Sequence, residues 1–351
     1  MPSMGMMKAQ PQKTIVIAAS ADDYNLRTAA NLPYQATVIC KVNTAKVAIV
    51  TMTIASPCVV SWIGHGLAVN QPVVFTTTGA LPTGLVAGTT YYLISAGLTA
   101  DAFQISATVG GAAIDTSGTQ SGVHTATADV IIGSTSVASP GWQTGSSWPK
   151  GTKLRLINEG SIVGMQGNGG NGISSAADGS EPGLTGTVGG AAVSLSENLK
   201  IDNPGTIGGG GGGGGSGASA SGSGRSGGGG TGAGKINGTP GATGGAGATA
   251  GSTGTTSSGG AAGNGNAGAV YGVGGAGGAP GSPGGNGVDD TSQALGCGGG
   301  GGGGLGSAGG RGGNGYNGES GGPGGQPGEA VVLNGKTLIW QRTGSRYGAY
   351  T

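Results

Sequence analysis

"NPGTIGGGGGGGGSG" occupies residues 203–217 and sets a tight turn and one isoleucine in front of an unbroken run of glycine. Whether that run is slack linker or built structure decides the fold. The stretch is the second of two copies. "LRLINEGSIVGMQGNGGNG", from Leu154, aligns at one constant offset with "LKIDNPGTIGGGGGGGGSG", from Leu199. Leu154, Leu156 and Ile162 match Leu199, Ile201 and Ile207, while Asn158 and Gly160 match Asn203 and Gly205. Each copy reads as an alternating strand, an Asn-x-Gly turn, one more inward apolar residue, and then glycine. A flexible linker has no reason to repeat that approach.

Composition narrows the alternatives. Glycine (88) and proline (15) exceed a quarter of the 351 residues, the level at which low complexity is the default reading. Charge-driven disorder, however, needs many ionised groups, and this chain is 8% charged with a formal net charge of +1. Nothing is basic enough for nucleic acid or an anionic membrane surface. Cys40, Cys58 and Cys297 cannot all pair within one chain and lie at no metal-like spacing, so free thiols in a protein assembled in a reducing cytoplasm are expected. The N-terminal "MPSMGMMKAQPQK" has no apolar core of a secretory signal, and no run reaches the roughly 18 apolar residues of a membrane span.

Bare main chain can be structure if it supplies its own cohesion. A polyproline-II-type helix has three residues per turn, about 3.1 Å rise, and N–H and C=O groups free to bond sideways. Glycine lets such rods approach closely. Ordering each residue costs about 1–2 kcal/mol, whereas a net hydrogen bond contributes about 0.5–1.5 kcal/mol. One rod fails alone, so several must pack together. A collagen-like triple helix is set aside, because the glycine register beginning at Gly238 breaks at Ala250.

Strand grammar fills the rest. "TIVIAAS", "ATVICKV" and "VAIVTMTI" read as strands between Thr14 and Ile54, with "NTAK" as a hairpin turn and Asp22, Asp23 and Asn25 forming local turns. Residues 56–127, holding Phe75, Phe103, Trp62, Tyr91 and Tyr92, read as a small β module inserted into the earlier sheet. The division expected is a flexible N-terminus (1–13), a β region (14–55 plus 128–165), the inserted module (56–127), a glycine-rich part (166–330) and a C-terminal β-hairpin (331–351) turning at Asn334–Gly335. The fold class is all-β with essentially no α-helix, followed by a glycine-rich polyglycine-II helix bundle.

Catalytic readings are weak throughout. Glycine runs generate G-x-G-x-x-G matches without the strand, helix and acidic residue a nucleotide site needs. "NGKT" at 334–337 is a hairpin turn rather than a phosphate loop. His65 and His124 lack ligand-spaced carboxylates or thiols, and the neighbours Asp22 and Asp23 suit local capping better than acid–base work. No enzyme activity, cofactor or metal is expected. What remains is binding surface, since aromatic and arginine residues on loops of a rigid scaffold make interface anchors. Tyr271, Asp289, Asp290, Gln293, Leu295, Arg311 and Tyr316 stand out as candidate binding residues.

"TIVIAASADDYNLRTAA", "GTKLRLINEGSIVGMQGNGGNG", "NPGTIGGGGGGGG" and "VVLNGKTLIWQRTGSRYG" together resemble the glycine-rich tail fibre and receptor-binding tail-tip adhesins of tailed bacteriophages. "SPCVVSWIGHGLAVNQPVVFTTTGALPTGLVAGTTYYL" looks like a small β module recurring in phage tail proteins. The resemblance implies polyglycine-II rods with intervening loops that touch a bacterial surface receptor, a polysaccharide or an outer-membrane protein. It also implies other phage tail proteins as partners, a homotrimer, and a place in the virion at the tail fibre or tail tip. A spacer without receptor contact is the alternative, and an ice-binding protein a further one.

Overall fold

The computed structural model describes residues 10–174, 181–219, 225–235, 238–245, 247–265, 272–289, 296–316 and 318–351. The repeat seen in the sequence is a register. The chain winds as a parallel solenoid whose first four coils each lay one strand on each of three sheets and whose last coil adds a strand to two of them. The first coil contains β1 (Gln12–Ile17), β2 (Ala21–Asp22) and β3 (Tyr24–Asn25), then the one-turn helix α1 (Leu26–Ala30) capped by the Asn25 side chain. The second begins with β4 (Thr37–Val42) and then leaves the solenoid for a module of β5 (Ala45–Met52), β6 (Val60–Ser61), β7 (Pro72–Thr77), β8 (Thr90–Leu93), β9 (Ala102–Phe103), β10 (Ile105–Ser106) and β11 (His124–Asp129). It resumes as β12 (Ile131–Gly133) and β13 (Trp142–Gln143). The third is β14 (Lys153–Asn158), β15 (Ser161–Val163) and β16 (Val193–Ser194); the fourth is β17 (Leu199–Asp202), β18 (Thr206–Gly208) and β19 (Val331–Val332). Strands β20 (Leu338–Arg342) and β21 (Ser345–Tyr347) form the last coil.

The first sheet runs β1-β4-β14-β17-β20, the second β2-β12-β15-β18-β21, and the third β19-β16-β13-β3, every neighbour parallel. Leu154 faces Leu199, Leu156 faces Ile201, and Ile162 faces Ile207, as the two sequence copies align. Inward residues stack in rows such as Cys40, Leu156 and Ile201, all fully buried, and these rows form the solenoid core with Val38, Ile132, Trp142 and Leu195. Burying each large side chain contributes about 1.5–3 kcal/mol. At the corner between the first two sheets, the buried Asn158 side chain donates to Asn203 Oδ1 at 2.7 Å, 45 residues along, and Asn203 donates to Thr343 O at 2.8 Å. A Cβ on Gly205 would sit 2.1 Å from Gly160 O, so the corner glycine is required by the close approach of successive coils.

Two expected hairpins are replaced by this winding. After "NTAK", β5 pairs with β11 and β6 rather than with β4. The chain does turn at Asn334 and Gly335, both with left-handed φ (50° and 73°), but β20 then pairs in parallel with β17 and not with β19. The physical reason is that β4 has parallel neighbours on both edges, β1 and β14, and β19 has β16 on one edge and the parallel bridge from Val331 to Tyr350 on the other, so a hairpin partner has no free edge to join. The insertion's sheet, β10-β8-β7-β11-β5-β6-β9, also starts at Ala45, earlier than the expected Ser56, and closes over its own core of Phe75, Phe103, Trp62, Tyr91 and Leu93.

The glycine-rich segments inserted into the third and fourth coils contain no regular strand or helix among the described residues. Their order comes from lateral hydrogen bonds with a period of three. Along 208–219, Gly210, Gly213 and Ser216 donate to Gly190, Thr187 and Leu184; Gly211, Gly214 and Gly217 donate to Ala233, Gly230 and Gly227; Gly212, Gly215 and Ala218 donate to Ser307, Gly310 and Gly313. The carbonyls of the same segment accept with the same period from 164–170, 300–306 and 322–328. The run Gly208–Gly215 is buried, and none of it takes a left-handed φ. A Cβ would meet a neighbouring carbonyl oxygen at 1.8 Å from Gly210, Gly212, Gly213 or Gly214, which explains the composition.

Side chains close the edges of this glycine-rich body. Ser216, Ser219, Ser226, Thr187 and Thr249 each accept, through the hydroxyl, the N–H of the residue whose carbonyl their own N–H reaches, at 2.7–3.0 Å for the hydroxyl bonds. Asparagine side chains also accept main-chain N–H groups at the surface: Asn168 from Thr239 N, Asn171 from Ala242 N and Asn264 from Gly274 N, at 2.8–3.0 Å.

Candidate functional site at the far end of the glycine-rich body

The glycine-rich segments have two ends. One lies against the solenoid: Leu305 and Ala233 pack with Ile131, Val163 and Tyr347, Gly209 N donates to Tyr347 O at 3.0 Å, and Lys235 pairs with Asp22 at 2.8 Å. The other end gathers the residues flanking positions 175–180, 220–224, 266–271 and 290–295. Ile173 N donates to Ser226 Oγ at 2.7 Å, and Ser219 N to Glu181 O at 3.1 Å. Gly265 N donates to Gly272 O at 2.7 Å, Val288 N to Val273 O at 3.0 Å, and Gly227 N to Cys297 O at 3.0 Å. Alternating segment direction therefore brings these sequence-distant flanking residues to one end of the body.

Of the candidate residues, Tyr271, Asp290, Gln293 and Leu295 lie outside the described residues. Asp289, Arg311 and Tyr316 are at this far end, and the first two are brought together: Arg311 Nη2 lies 3.4 Å from Asp289 Oδ1, both half exposed. Asp289 Oδ1 also accepts from Asn314 N at 2.7 Å, and three residues earlier Asn286 Oδ1 accepts from Arg311 N at 2.9 Å. Asn286 and Asp289 thus repeat one edge-closing contact at the rod period, and Arg311 bonds further to Asn314 Oδ1. Tyr316 makes no part of that network; its ring is 48% exposed. The edge-closing role was open to sequence reasoning through the three-residue spacing of Asn286 with Asp289, and of Asn168 with Asn171.

The other polar residues singled out in the sequence make local structural contacts. His65 is buried, its Nδ1 accepting from Leu67 N at 2.9 Å with the ring edge-on to Phe103. His124 bridges Thr77 and Gln120. Asp22 and Asp23 go different ways, the first to Lys235 and the second to Thr135 N at 3.0 Å, while Asn25 caps α1. Cys40 is buried enough for its thiol pKa to be pushed up to about 12. Among the described residues no group of three or more His, Cys, Asp or Glu could hold a metal ion.

The chain is similar, at 23% identity, to a chain of the crystal structure of the gp37-gp38 adhesin tip complex of the bacteriophage S16 long tail fiber, covering 63% of this chain and 68% of that one. The TM-score of 0.37 is too low for that likeness to carry weight. No curated protein matches. A family model described as phage tail fibre adhesin Gp38 matches residues 90–297, from β8 of the inserted module to Cys297. That match spans more than half of the 351 residues, and the chain belongs to the Gp38 family of phage tail fibre adhesins.

Proposed function

We propose that this tail-tip adhesin holds its receptor-contacting loops on a polyglycine-II-type bundle, with the solenoid as the tail-proximal part. One observation carries the reading: lateral hydrogen bonds of period three run through the glycine-rich body and converge the flanks of four sequence-distant loops at the end away from the solenoid. A rod of this type turns once in three residues, so each face of 208–219 meets a different neighbour, as the donors do. Side chains are excluded inside the body by close main-chain approach, which leaves the loop end as the place where variable chemistry is tolerated. Loops 175–180, 220–224, 266–271 and 290–295, with Tyr316 beside them, supply the contacts, and Tyr271, Asp290, Gln293 and Leu295 are the anchors. Asp289 and Arg311 fix the rods beneath them.

The outer edges of β1 and β20 pair with no described strand, and an exposed strand edge invites an added strand from another tail protein or another copy, a homotrimer being one closed arrangement. The adhesin acts by binding, without catalysis or cofactor.

The test replaces residues 266–271 and 290–295 with Gly/Ser of equal length in phage. Adsorption to the host is expected to fall by two orders of magnitude or so, as loss of central anchors allows, with particles assembled and the adhesin's thermal unfolding unchanged. Undiminished adsorption would overturn the assignment to these loops and favour the inserted module or a pure spacer.

A further inference from the structure

Where the inserted module, the solenoid and the glycine-rich body meet, they form an open cleft of about 260 Å³, room for one or two sugar rings rather than a drug-sized ligand. Its walls come from all three parts. The module gives Thr90, Tyr92 and Asp129, the solenoid Ile131 and Ser161, and the glycine-rich body Thr256 and Ser257. These groups are held but unused. Asp129 O is fixed by Gln71 Nε2 at 3.0 Å and by Ser20 Oγ at 3.4 Å, yet no hydrogen bond or ion pair from another described residue reaches its carboxylate. The loss of water around the cleft raises the Asp129 carboxyl above its ordinary 3.8.

Tyr92 alternates with the inward Tyr91 on β8, so its ring is on the outer face, next to Pro72; whereas Tyr91 Oη binds Val86 N at 2.7 Å, the Tyr92 hydroxyl has no described partner. Thr256 and Ser257 sit on a turn that is itself tied down, Thr255 N donating to Ser258 O at 2.7 Å and Thr255 Oγ1 accepting from Ser257 N and Ser258 N.

We propose that this cleft is a second binding site of the adhesin, lateral to the loop end, that takes a neutral saccharide. An unpartnered carboxylate suits vicinal sugar hydroxyls, because it accepts from both and its hydrogen bonds are charge-assisted. An aromatic ring with a polar tip covers the apolar face of a pyranose while its hydroxyl bonds at the rim. Threonine and serine hydroxyls both donate and accept, as sugar hydroxyls do. Lys235 lines the adjoining recess and is already paired with Asp22, so the charge lining the cleft is the Asp129 carboxylate, which disfavours acidic sugars.

The test is saturation-transfer NMR on the full chain, with disaccharides of glucose, galactose and N-acetylglucosamine and with sialyllactose as the anionic comparison. Neutral disaccharides are expected to bind with Kd of about 1 mM, with sialyllactose at least about tenfold weaker. Tyr92→Ala and Asp129→Asn should each weaken binding about tenfold, the loss of one charge-assisted hydrogen bond or one stacked ring. Tyr92→Phe should retain most of it. Asp129→Asn preserves shape and keeps the test decisive if Tyr92→Ala loosens the sheet. Gly/Ser replacement of 266–271 and 290–295 should leave saccharide binding unchanged, which separates this site from the loop end. No binding by any neutral disaccharide at tens of millimolar, binding indifferent to both substitutions, or binding lost with the loops would each overturn the proposal.

Discussion

Gly213→Ala isolates the physical reason for the glycine run. The backbone at Gly213 is one that alanine can adopt, since its φ is not left-handed, and fewer unfolded conformations would by themselves stabilise the variant by about 0.4–1 kcal/mol. Sterics decide otherwise. The new Cβ would lie 1.8 Å from Asn168 O, where ordinary contact begins at 3.4 Å, so the segments 164–172 and 208–219 must part. The bonds that span this contact, Gly167 N to Gly211 O at 2.9 Å and Gly170 N to Gly214 O at 2.8 Å, are then broken or stretched inside the body. Each buried group left unpaired costs about 1–3 kcal/mol, giving a net loss of about 2–5 kcal/mol. At roughly 2 °C per kcal/mol in a large domain, the unfolding temperature should fall by about 4–10 °C. Gly315→Ala is the matched control, because its Cβ would meet the Glu319 side chain, at 2.8 Å, and no main-chain atom closer than 3.6 Å. Calorimetry on both variants checks this. If Gly213→Ala unfolds no earlier than Gly315→Ala, steric exclusion by neighbouring carbonyls is not what selects glycine.

Other consequences follow from the solenoid. Asn203→Ala removes the acceptor of Asn158 and strands Thr343 O, and should cost about 1–3 kcal/mol in denaturant unfolding; no loss would show that the corner asparagines are passive. Asp202 is hydrogen-bonded and ion-paired to Arg342 and more weakly to Arg155, which hold its carboxyl below the ordinary 3.8. A depressed carboxylate contributes stability above its unfolded pKa and loses it as pH falls through the folded one. Asp202→Asn should therefore flatten the stability profile below about pH 4, and an unchanged acid limb would refute the pairing. Burial raises the thiol pKa of Cys40 and Cys58, so neither should react with a thiol reagent at pH 8 until the protein unfolds; labelling in the native state would contradict the core assignment.

The alignment of Leu154 with Leu199 marks two strands as equivalent, and the structure stacks them at that offset. Strand direction was not legible, because inward–outward alternation is the same in a hairpin and in a coil of a solenoid. The winding is also hidden in sequence: the second coil is split by the module and the fourth by 209–330, so equivalent strands stand at unequal distances. "NTAK" and Asn334–Gly335 carry good turn chemistry, but turn chemistry fixes a bend and not the partner of the next strand. At the loop end, Asp289 and Arg311 were marked by their contrast with a glycine background. Their structural task was encoded instead in the three-residue interval between Asn286 and Asp289, a period that helix and strand templates do not seek.

Amide hydrogen exchange on residues 209–218 of the intact adhesin tests the central claim most directly. If main-chain hydrogen bonds knit the glycine-rich half into a rigid support, these amides should open only with global unfolding and show protection on the order of a thousandfold or more. Exchange at the rate of an unstructured glycine peptide would contradict it.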